Sequence, residues 1–444
     1  MNRFYTLLFA ISIILINPWG LSRGEIWTKP KVLAVVLICL TNLSILWAER
    51  KSLNPPRSWK ISRLLWQLFL GIGLLSTLQS PFPLLSFRGG DQMGDGWLYW
   101  LIVATFSLSN TLVLRLHPEF LCSQLNGLLI GGVILAISMF PQLINWRIDY
   151  TITTGQLLGD NVLVSTIFQQ QQPIGLYSHR GHAAFVLTAV ALLALVSWKW
   201  NWISTRLTLL VFGLIIPALL LTFTRAGILA LIVAGVYWIY FYSKAKFNRI
   251  AIAGVLVALL FVGAVSSTRK IEALRQFNFD SNTLAIKYLT SDRLWLWQQS
   301  LRGIIKKPLL GWGFDGFGIS YPYIHSPNWT PNVVSLGEFS FDYKGKNGDI
   351  HTKLIPTYKA HNLILDTTLS VGFLGMLCYG ALFGFCLYQV VKSPYRGIEA
   401  VAVAYLAFAF SWFECAQFSH ILWWILSLWG VIPISRFDAT ETLN

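Results

Sequence analysis

About twelve stretches of this chain are apolar enough and long enough to cross the hydrocarbon core of a bilayer as helices. They lie near 4–17, 32–48, 64–79, 97–114, 120–145, 182–197, 207–223, 226–242, 249–265, 363–391, 399–413 and 418–434. Inside lipid a backbone must satisfy its own polar groups, so runs of this length read as helices. The expected fold class is an all-α polytopic membrane protein. Composition agrees. Of the 444 residues 55% are hydrophobic and 12% charged, against about 25% charged in a soluble domain. The first run follows Arg3, as in a signal peptide. It lacks a convincing small-residue cleavage site and reads as a retained helix.

Lysine and arginine placement gives the orientation. With the N-terminus inside, the inner segments hold fifteen: Arg3; Arg50, Lys51, Arg57, Lys60 and Arg63; Arg115; Lys199 and Arg206; Lys244, Lys246 and Arg249; Lys392 and Arg396; and Arg436. The short outer loops hold seven: Arg23, Lys29, Lys31, Arg88, Arg147, Arg180 and Arg225. Both termini are expected in the cytoplasm. The one long hydrophilic segment, 266–361, is expected outside. The net charge of +15 partly reflects this asymmetry. It does not imply nucleic acid, because no basic–aromatic recognition module accompanies it. Cys39, Cys122, Cys378, Cys386 and Cys415 lie in or beside the spans, so the outer loop folds without disulfides.

Against that layout, a few polar residues stand out at the outer rim. Arg225 interrupts "LLLTFTRAGILALIVAG" at a short outer connection, where it opens the next helix behind a possible N-cap, Thr224. A guanidinium on a helix N-terminus suits phosphate. A snorkelling interfacial arginine explains this residue alone as well or better. Arg180 sits between His179 and His182 in "LYSHRGHAAF". No cysteine or carboxylate lies close enough in sequence to complete a zinc set, and no metal is expected.

The outer loop carries "SDRLWLWQQSLRGIIKKPLLGWGFDGFG". Ser291 is a plausible N-cap, and Asp292 and the two lysines suit the helix dipole. Leu294, Trp297, Leu301, Ile304 and Ile305, widened by Trp295, form an apolar stripe. The segment reads as an amphipathic helix on the outer surface, with Arg293 in its first turn. "GWGFDG" matches a dinucleotide fingerprint only literally, since no buried strand precedes it. Its glycines are expected to let a tight loop approach membrane-domain backbone. The loop closes on "KAHNLILDTTLSVGFLGML", with His361 at the entry to a span and Asp366 more than a turn inside. Asp366 could orient His361 or pair with an arginine.

Three stretches together, "TFTRAG" at 222–227, "DRLWLW…KKPLLGWGFDGFG" at 292–318 and "HNLILDTTLSVGFLG" at 361–375, resemble the O-antigen ligase family, which shares its core domain with O-antigen polymerases. The likeness covers roughly 175–380. It divides the chain into N-terminal helices 1–174, a core 175–434 that includes the loop, and a cytoplasmic tail 435–444. The resemblance implies a GT-C-type glycosyltransferase of the bacterial inner membrane. Such an enzyme moves a glycan from an undecaprenyl-pyrophosphate carrier to a glycan, lipid A core or protein acceptor. Family roles carry over to Arg225, Arg293 and His361 as catalytic residues. Arg180, His182 and Asp366 are candidates for substrate binding. Many members have a glutamate two residues before the glycine of the last motif, where this chain has Ser370.

The chemistry of these residues agrees. Arginines can neutralise a leaving pyrophosphate without a metal or cofactor. A histidine can take the proton of an attacking hydroxyl or position it, and one direct displacement inverts the anomeric centre. A polymerase would use the same donor with a different acceptor. A transporter for bicarbonate or a lipid-linked sugar is a rival of another class. It would favour mid-membrane charge and internal repeats, whereas these charges lie at the rim and the halves do not repeat.

Overall fold

The computed structural model describes residues 1–144, 155–158, 161–164, 173–242, 293–326, 329 and 331–431. In chain order the helices are α1 (Asn2–Ile14), α2 (Lys29–Ala48), α3 (Arg57–Leu78), α4 (Pro83–Arg88), α5 (Trp97–Leu116), α6 (Phe120–Met139) and α7 (Arg180–Lys199). There follow α8 (Thr205–Leu221), α9 (Arg225–Tyr242), α10 (Arg293–Lys306), α11 (Gly316–Ile324), α12 (Leu363–Lys392), α13 (Ala400–Ala409) and α14 (Ser419–Ile425). Among the described residues seven helices are long and apolar enough to cross a membrane; α1, α8 and α13 are apolar but shorter. The expected span at 249–265 lies outside the described residues. The expected span at 418–434 is not a continuous helix within them. It breaks after Ile425 into a short 3₁₀ turn at Leu428–Gly430.

The bundle is built around α7, which is buried at every position from Gly181 to Ala194. Alanines at 183, 184, 189, 191 and 194 let α6, α8, α9 and α13 all approach it. Small residues at helix contacts are the usual means of close packing in lipid. The same device joins α1 to α6. A Cβ added at Gly127 would stand 2.5 Å from the Thr6 carbonyl oxygen, and Tyr5, Phe9 and Ile13 of α1 are fully buried.

The outer loop docks on α12 through backbone. Gly372 has φ 68° and ψ −177°, which breaks the helical path of α12. Such a break frees carbonyl oxygens that need other donors. Trp312 N donates to Leu369 O at 2.9 Å, Gly313 N to Ser370 O at 2.9 Å, and Phe373 N returns a bond to Pro308 O at 2.8 Å. A Cβ on Gly372 would lie 2.0 Å from Leu309 O. The glycine-rich loop is thus a clasp on the membrane domain, as its sequence suggested.

One expectation needs correction. The chain is not all-α. The loop folds a three-stranded antiparallel sheet of Asn332–Leu336, Ser340–Lys344 and Ile350–Leu354, and a short strand pair joins Gly155–Leu158 to Asn161–Val164. Helix α10 does not bury its apolar stripe as a whole. Leu296, Gln299, Ser300, Gly303 and Ile304 face the protein, while Leu294, Leu301 and Ile305 are exposed. Gly303 sets this choice. Its surface meets Leu369 of α12, and its carbonyl accepts from Trp312 Nε1 at 2.9 Å. The exposed apolar side chains fit a helix lying on a lipid surface.

If the sheet lies outside, as the lysine and arginine placement predicts, a cysteine at Ser340 should react with an impermeant thiol reagent on intact spheroplasts, in a background whose native cysteines are replaced. Labelling only after lysis would reverse the orientation.

Candidate active site

Arg180 and Arg225 are each the first residue of a helix, α7 and α9, and Arg293 is the first described residue of α10. A helix start offers positive potential from unpaired backbone N–H groups. Before Arg225 the chain turns through Phe223, with φ 47°. The Thr224 hydroxyl does not cap α9 as expected; it donates back to Thr222 O at 3.3 Å. Arg225 is exposed, and Arg180 and Arg293 are partly exposed. Ser291 and Asp292, read as the cap and first turn of α10, lie outside the described residues.

The charges are close enough to act on one another. Burial lowers the pKa of Arg293, and the charge of Arg225 lowers it further. Among the described residues neither arginine forms an ion pair. Among the described residues, then, two like charges act on one another with no counter-ion beside them.

His361 lies next in this chain of coupling. Burial, then Arg293, then His179 push its pKa down to about 3, so it is neutral at ordinary pH. Its backbone has φ 54°, a conformation unusual for a non-glycine residue and kept only where neighbours enforce it. Here each neighbour is tied down. Lys359 Nζ donates to Asp95 Oδ2 and Asp315 Oδ1, both at 2.7 Å. Ala360 N donates to Asp366 Oδ1 at 2.7 Å. Asn362 caps α12 by accepting from Leu365 N at 3.1 Å and donates to Phe410 O at 3.0 Å. The ring packs on Trp412 and Phe413, with centroids 5.0 and 4.8 Å away, and Thr357 Oγ1 lies 3.5 Å from Nε2.

Asp366 is buried and holds the backbone just before His361 instead of pairing with an arginine. Ser370, in the place of the family's glutamate, accepts from Gly316 N at 3.2 Å through its hydroxyl and so belongs to the clasp. His182 is fully buried. It packs on Phe413 and Phe418 behind the rim, with Nδ1 3.4 Å from Ser178 Oγ.

The sequence reading missed Lys359, its partners Asp95 and Asp315, and Trp412. In this cluster Asp315 stays ionised, because Lys359 and the Gly90 N–H outweigh the effect of burial. Burial opposes the charge on Lys359, but Asp315 and Asp95 overcome it and raise its pKa. The only signal in the sequence was a lysine two residues before the expected catalytic histidine. Its partners could not be named from that.

Known proteins show the same relationship. The O-antigen ligase family model matches residues 210–380, which hold Arg225, Arg293 and His361 and leave out Arg180 and His182. Over 317 residues the chain is 25% identical to a Rickettsia conorii protein provisionally named a polysaccharide ligase. That alignment covers 70% of this chain and 66% of the relative, just under two thirds of its length. This mostly helical chain, with helices of membrane-spanning length, is similar to the O-antigen ligase family over residues 210–380.

Proposed function

We infer that the chain is a membrane glycosyltransferase of the bacterial inner membrane, with both termini in the cytoplasm. It moves a glycan from an undecaprenyl-pyrophosphate carrier to an acceptor hydroxyl at the outer face. The supporting observation is a pair of arginines that act on one another, Arg225 and Arg293, which have no ionic partner among the described residues and lie close to a neutral histidine. Holding like charges together is unfavourable unless an anion joins them, and pyrophosphate supplies that anion.

In this mechanism the acceptor oxygen bonds to the anomeric carbon of the donor sugar. The bond from that carbon to the pyrophosphate oxygen breaks, and the electron pair leaves with the pyrophosphate. Arg225 and Arg293 offset the developing charge. The hydroxyl proton passes to His361, and the anomeric centre inverts. His361 is a weak base in the free enzyme. Burial is the main cause, and the charge of Arg293 adds to it; pyrophosphate bound to Arg293 would offset that second, smaller effect and make His361 a somewhat better base.

The test is transfer from purified lipid-linked glycan to an acceptor, with EDTA present. Activity should survive chelation, because guanidinium groups do the work of a divalent cation here. Loss in EDTA with recovery on adding magnesium or manganese overturns metal independence. Failure of transfer under all conditions overturns the donor assignment.

A further inference from the structure

Building on that reading, we propose that His179 is a further catalytic residue, giving a neutral N–H hydrogen bond to the phosphate oxygens of the donor. His179 is the N-cap of α7, and its Nδ1 accepts from Gly181 N at 2.9 Å. A backbone N–H in that lone pair fixes the tautomer. The ring proton must sit on Nε2, and the ring cannot become an imidazolium without losing the cap. Among the described residues nothing accepts from Nε2, and the ring is partly exposed. It therefore offers one fixed donor and no charge.

Its position is shared with the base. The His179 and His361 rings lie 5.2 and 5.0 Å from the same Trp412 ring. Trp412 is only 9% exposed, and its indole N–H and His361 Nδ1 are both buried without partners. The two histidines thus flank one tryptophan, which puts the fixed N–H of His179 on the same side of the fold as the proposed base. Arg180 follows His179 directly. Arg23 reaches Gln92 Oε1 at 3.4 Å, and Gln92 Nε2 in turn reaches Ser178 Oγ at 3.2 Å. After burial, the charges of Arg180 and Arg23 hold His179 neutral, with a pKa of about 3. A ligand oxygen here meets cations on its flanks and a neutral donor between them.

Two substitutions separate this role from helix capping. Serine and asparagine both cap helices well, but only asparagine keeps an N–H on its side chain. In transfer from purified lipid-linked glycan, His179→Ser should lower turnover about a hundredfold, the usual loss when one transition-state donor is removed. The donor KM should change much less. His179→Asn should recover to within about tenfold of the parent. A serine variant within about threefold of the parent, or an asparagine variant as impaired as serine, overturns the proposal. The parent protein and His361→Ala are run alongside. If the parent itself fails to use the donor, the wider reading falls. If the parent works and the serine variant is unaffected, only the role of His179 falls.

Discussion

Arg225→Lys and Arg293→Lys are each expected to lower glycan transfer about a hundredfold or more, while the protein still reaches the membrane in normal amounts. Lysine keeps the charge but loses the planar fork that binds two phosphate oxygens at once. Neither arginine has an ionic partner among the described residues, so neither change breaks an ion pair there. Arg225 opens its helix and is exposed, and Arg293 is partly exposed, so a long, flexible replacement fits. His361→Ala should abolish or greatly reduce turnover and leave donor binding largely intact, because its partner is the acceptor hydroxyl. Lys344 and Lys346, both exposed, serve as controls whose substitution should matter little. The measurement is transfer from purified lipid-linked donor, with membrane levels quantified in parallel. Near-normal turnover in both lysine variants and in His361→Ala would remove the mechanism and favour a transport role.

The order of these residues along the chain could be read from the sequence because each sits at a boundary between polar and apolar runs. Arg180 and Arg225 open helices, as their flanking patterns indicated; the expected start of α10 before Arg293 lies outside the described residues. The glycines at 311 and 313 also behaved as their spacing suggested, since a close backbone approach leaves a signature in residue type alone. Other features were hidden for physical reasons. An apolar stripe does not say whether it meets lipid or protein, so the packing of Gly303 and Ile304 against the protein was not legible in it. The strands at 332–354 expose most of their side chains, which blurs the alternation that marks a half-buried strand. Trp412 reaches the two histidines from the far end of the chain, and nothing local to it predicts that contact. The left-handed backbone of His361 depends on ties to residues up to 264 positions away, such as that from Lys359 to Asp95.

That tie gives the other large expected effect. Lys359→Met should sharply reduce both membrane accumulation and transfer. It removes the ammonium shared by Asp95 and Asp315 and leaves two buried carboxylates facing each other. Removing one partner of a buried ion pair costs about 3–5 kcal/mol, a large share of the stability of most folds. It also frees the backbone one residue before the strained Ala360–His361 link, so any protein that does accumulate should transfer poorly. Adding Asp95→Asn to Lys359→Met removes one orphaned charge and should restore part of the accumulation. The pH dependence follows from the same charges. Burial already pushes the Asp95 pKa up, against the pull of Lys359; without the lysine it must rise further. An acid whose folded pKa is raised contributes stability that is complete below its unfolded pKa and lost as pH rises through the folded one. Thermal unfolding of detergent-solubilised Lys359→Met should therefore move closer to that of the parent protein as pH falls. A Lys359→Met variant that accumulates and melts like the parent, at neutral pH as well as acid, would show that the lysine does not hold this site together. A double variant no better than the single one would point to Lys359 acting on substrate instead.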